Sequence, residues 1–88
     1  MAGLRAIDAR LAAARYLSGA PDEFVRLVDL WGALDEPLRL VSRGIGLSAF
    51  EQRIRCDWFD FGRSENGTTI VSISSAMVER LRKGGKIR

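Results

Sequence analysis

Apolar residues recur at helical spacing from the start of the chain. Leu4, Ile7, Leu11 and Ala14 fall three or four apart, with alanines between them and Arg5, Asp8, Arg10 and Arg15 on other faces. That pattern predicts a first helix over residues 4–17, stopped by Ser18-Gly19. A second helix is expected from Pro21-Asp22-Glu23, because proline and acidic residues suit a first helical turn. Its apolar stripe is Phe24, Leu27, Val28 and Trp31, and Gly32 ends it. A third, short helix begins near Asp35-Glu36-Pro37, turns Leu34, Leu38 and Val41 inward and stops at Gly44. The fourth opens on Ser48 and Glu51, the spacing of a capping box. Phe50 and Ile54 share its inward face, while Gln52, Arg53 and Arg55 lie largely elsewhere. Helix gives way to strand around Cys56-Asp57.

The period then changes to two. Residues 58–74 read as a β-hairpin, and two registers compete. A two-residue turn at Asn66-Gly67 sets Phe59 opposite Ser74 and Phe61 opposite Ser72, mixing apolar with polar. A three-residue loop, Glu65-Asn66-Gly67, pairs Phe61 with Val71 and Phe59 with Ile73 and gathers all four on one face. The second register is preferred, with Gly67 in the left-handed position. Trp58, Asp60, Gly62, Ile70, Ser72 and Ser74 then share the other face. Ser74 or Ser75 caps a last helix with Met77, Val78 and Leu81 inward. The expected fold is a small α+β domain over residues 1–83: about four helices, a C-terminal β-hairpin and a short final helix. Residues 84–88 form a flexible basic tail.

Helices followed at once by a hairpin resemble, in order, the elements of winged-helix DNA-binding domains. The resemblance implies that the helix before the hairpin enters the major groove and that the hairpin, or wing, lies on the backbone or minor groove. Two positions depart from the helix-turn-helix pattern. Leu40 stands where a small residue is usual, and Arg53 falls near a position usually apolar.

Composition narrows the chemistry. Apolar residues are 47% and charged residues 28% of the 88, an ordinary globular balance. Histidine is absent and Cys56 is the single cysteine, which removes Ser-His-Asp and Cys-His catalysis, Cys/His zinc sites and an internal disulfide. No apolar run approaches the roughly 18 residues of a membrane span, and the N-terminus lacks a signal-peptide pattern. A soluble, cytoplasmic, non-catalytic protein without cofactor or metal is expected.

The formal charge of +3 is mild, but it is unevenly spread. Residues 1–37 carry four arginines and six acids, whereas residues 38–63 carry five arginines and three acids. Positive charge in the C-terminal half suits a phosphate backbone or an acidic partner. Other features read blandly. Cys56 fits a small buried hydrophobe. Asp57 and Asp60 fall on opposite faces of a strand, and Glu51 is assigned to the cap, so no carboxylate pair forms. Gly44-Ile45-Gly46 lacks the third glycine and the lysine of a phosphate loop. Phe59 and Phe61 belong to the core, while Trp58 faces the other way.

The expected function is binding of double-stranded DNA, as in a small transcriptional regulator. Gln52, Arg53 and Arg55 are the candidates for base edges, since glutamine suits adenine and arginine forks onto guanine. Arg39, Arg43 and Arg63 are the candidates for phosphates. Reading a specific operator calls for a homodimer, with the first or last helix at its interface. The alternative is a protein-interaction module, an adaptor, inhibitor or subunit, with Trp31 and Trp58 as its interface candidates; exposure of both indoles would favour it.

Overall fold

The computed structural model describes residues 4–20 and 22–82. The expected tail at 84–88 and the inward side chain of Leu81 lie outside the described residues. The elements run α1 (Ala6–Leu17), β1 (Val25–Arg26), α2 (Leu27–Leu38), α3 (Leu47–Ile54), β2 (Phe59–Arg63), β3 (Thr69–Ile73) and α4 (Ser75–Arg82). The described residues form an α+β fold of four helices and a three-stranded antiparallel sheet in the order β1-β3-β2. The hairpin is internal rather than C-terminal, because α4 follows it. None of the described helices is long and apolar enough to cross a membrane.

Helix α1 forms where expected but is rotated about its axis. Ala9, Ala13, Ala14 and Leu17 are buried, whereas Ile7 is 42% exposed and Leu11 half-buried. Closeness explains the choice of face. Alanine methyls let α1 lie close on the core, with α3 its main neighbour, where larger side chains would hold the backbones apart.

The end of the second expected helix and the start of the third form one helix, α2, and no helix starts at Asp22-Glu23; Pro21 lies outside the described residues. Glu23 and Phe24 are irregular, and β1 pairs Val25 with Val71 and Arg26 with Ile70. The β-branched Val25 suits that role, and the pairing satisfies an edge of β3 that a bare hairpin would leave open. Phe24 is consequently 52% exposed rather than inward, and Val28 is exposed as well. Gly32 does not stop α2, because Leu27, Leu30 and Leu34 make a buried stripe that runs past it. The burial outweighs the roughly 1 kcal/mol that a glycine costs inside a helix. Pro37 is tolerated in the last turn, where the carbonyl left without its amide belongs to exposed Ala33.

Residues 39–44 are turns, not helix. Arg39 ends α2 in the left-handed conformation, φ 56° and ψ 48°. The Asp35 carbonyl accepts the Arg39 amide at 2.6 Å, and its carboxylate accepts the Val41 amide at 2.8 Å. Asp35 thus serves the end of a helix rather than a beginning. The reversal buries Leu40 completely and leaves Val41 60% exposed, opposite to the expected pointing of Val41.

Helix α3 starts one residue before Ser48, with Gly46 as its cap and no side-chain capping bond. The Ser48–Glu51 capping box is therefore not formed. Phe50 and Ile54 are buried as expected and join Leu30, Leu40 and Val71 at the centre of the core.

The hairpin takes the three-residue register: Phe59 opposes Ile73 and Phe61 opposes Val71. Gly67 sits at φ 81°, and its amide bonds the Ser64 carbonyl at 2.9 Å. Only glycine adopts that conformation freely. The Ser74 hydroxyl accepts the Met77 amide and caps α4.

Candidate nucleic-acid interface

The solvent side of α3 follows from the two residues it buries. With Phe50 and Ile54 inward, the exposed positions Ser48 and Gln52 fall four residues apart on one face, and Arg55, also exposed, follows at the extended C-cap. Gln52 and Arg55 thus occupy the surface that the sequence assigns to them. Arg53 does not. Its Nε donates to the Leu4 carbonyl and one terminal nitrogen to the Ala49 carbonyl, both at 3.0 Å. Arg10 returns the tie by donating to the Arg53 carbonyl at 3.0 Å. These two half-buried arginines fasten the start of the chain and α1 to α3. The sequence pattern placed both on solvated faces and gave no sign of this bridge, which joins residues more than forty apart in the chain.

Arg55 is held from two sides. Its Nε and a terminal nitrogen both donate to the same Glu51 oxygen, at 3.2 and 2.8 Å. Its guanidinium carbon lies 4.5 Å from the centroid of the Phe61 ring. Glu51, assigned to a cap from its distance to Ser48, instead reaches one turn forward. The i,i+4 spacing of acid and base was the available signal. Phe61 is half-buried, packing on the core with one part of its ring and carrying Arg55 on another.

Glu51, Arg55, Phe61, Gly62, Arg63 and Thr69 line a cleft of about 280 Å³ between α3 and the hairpin. Arg55 and Arg63 are thereby brought together from two elements. Arg63 donates to the Gly67 carbonyl across the loop at 2.9 Å. Arg43 lies elsewhere, in a groove of about 640 Å³ between α1 and the end of α2 that Leu4, Ile7, Leu11 and Leu38 also line. Arg39 is exposed at the turn between α2 and α3 and lines neither cavity.

The two tryptophans are half-buried. Trp31 donates its indole N–H to the Ile45 carbonyl at 3.1 Å, tying α2 to the segment that leads into α3. Trp58 packs against Phe59 with ring centroids 6.3 Å apart. Cys56 is a free, half-buried thiol. No protein-family model matches the chain, and no curated protein or solved structure matches it.

Proposed function

We propose that this chain is a winged-helix-like, non-catalytic protein that binds double-stranded DNA through α3 and the hairpin. The observation that carries the reading is the shared surface of the two elements. Ser48 and Gln52 occupy one exposed face of α3, and Arg55, the residue that follows the helix, lines a cleft with Arg63 of β2. Gln52 is the remaining candidate for a base edge near the middle of α3. Arg63, Arg39 and Arg43 serve phosphates. Arg39 adds support of its own. A left-handed conformation at a helix end is ordinarily glycine's, and strain of this kind concentrates where a side chain has a task.

The alternative, a protein-interaction module, is motivated by the mild net charge and the acidic first 37 residues and would be favoured by two exposed indoles; Trp31 and Trp58 are half-buried, and the Trp31 N–H bonds the Ile45 carbonyl. A cytoplasmic location and a homodimer on a two-fold operator accompany the DNA reading. The test is affinity for a duplex between about 50 and 200 mM salt. Three phosphate-contacting arginines give a log–log slope of about −3 and a roughly 40-fold loss of affinity over that range. Absence of binding at the lowest salt, or a flat response, overturns the proposal.

A further inference from the structure

We infer that the cleft between α3 and the hairpin is a seat for one backbone phosphate of the duplex, and that the Glu51 carboxylate stands in for that phosphate in the free protein. The inference rests on the DNA reading and reassigns Arg55 from base edge to phosphate.

Three observations converge on it. Glu51 uses a single oxygen to take both Nε and one terminal nitrogen of Arg55, the side-on edge that a phosphate oxygen would also bind. Phe61 lies against the guanidinium and limits where it can swing, so the fork is held in place whether carboxylate or phosphate fills it. Arg63 of β2 and Thr69 of β3 line the same cleft, so an incoming oxyanion would meet Arg55 just after α3 together with residues of both hairpin strands. Position along the helix agrees. Arg55 follows the last residue of α3, whereas recognition helices address bases from their N-terminal residues.

Formal charge sets the sign of the effect. Two guanidinia and one carboxylate line the cleft, so the Glu51 charge opposes an anion that the arginines attract. Binding then exchanges one anionic partner of Arg55 for another, and Glu51 lowers affinity.

Anisotropy of a labelled duplex, read across the same salt range, tests this on the full chain and on E51Q, R55Q, R63Q and E51Q/R55Q. With Arg55 as a fourth phosphate contact the unaltered slope is about −3.6, and R55Q and R63Q each weaken binding and flatten it by about 0.9. E51Q tightens binding about threefold, the scale of releasing an exposed ion pair, and that gain disappears when Arg55 is also replaced. A merely structural Glu51 predicts the opposite sign, weaker binding in E51Q. If the unaltered chain binds DNA but R55Q keeps the full slope, or E51Q fails to tighten, the phosphate seat is overturned and DNA binding stands. If the unaltered chain does not bind, both fall.

Discussion

Arg39 shows how one residue can carry opposite demands. Its left-handed backbone costs stability, since a Cβ there crowds the following carbonyl. Arg39→Gly should therefore raise stability by up to about 1 kcal/mol, partly offset by the unfolded-state freedom of glycine. The same change removes a proposed phosphate contact, so the salt slope for duplex binding should become shallower by about 0.9. Urea denaturation and a binding titration on the one variant check both. Trp31 is the contrasting case, a residue retained for the fold. Trp31→Phe keeps most of the ring but leaves the Ile45 carbonyl without its donor. A loss of about 1 kcal/mol is expected, seen as a lower urea midpoint with an unchanged slope. Arg53→Ala removes bonds to the Leu4 and Ala49 carbonyls and should cost about 2 kcal/mol in the same measurement.

Among the elements, those set by local chemistry were legible and those set by partners were not. The hairpin register followed from Phe59, Phe61, Val71 and Ile73 alone, because a slip of one residue would turn that set to the other face. The Ser74 cap was equally local. The break between two helices at Gly32 was expected from propensity, but Leu27, Leu30 and Leu34 bury together across the glycine and hold one helix. Strand β1 is only two residues long and exists because β3 offers it an edge, which no period in the sequence announces. The rotation of α1 likewise depends on its packing against α3. The alanine face can be tested directly: Ala13→Leu should overpack the core beneath α1 and cost about 1–3 kcal/mol of unfolding free energy. Ile7→Leu, on the exposed side, should stay within about 0.5 kcal/mol.

At the scale of the whole molecule, the charge pattern pointed to residues 38–63, and the fold divides that segment into separate tasks. Arg53 holds the helices together, Arg43 borders the α1–α2 groove, and Arg55 and Arg63 share the cleft beside the hairpin. Sequence separation could not distinguish these roles, because each depends on contacts made across the core. The central claim is that α3 and the hairpin form one DNA-facing surface. Titrating the isotopically labelled chain with a short duplex, and following backbone amide and arginine side-chain NMR signals, addresses it most directly. The largest shifts should fall on Ser48, Gln52, Arg55, Arg63 and Thr69. Shifts that miss α3 and the hairpin, or no shifts at low salt, would contradict it.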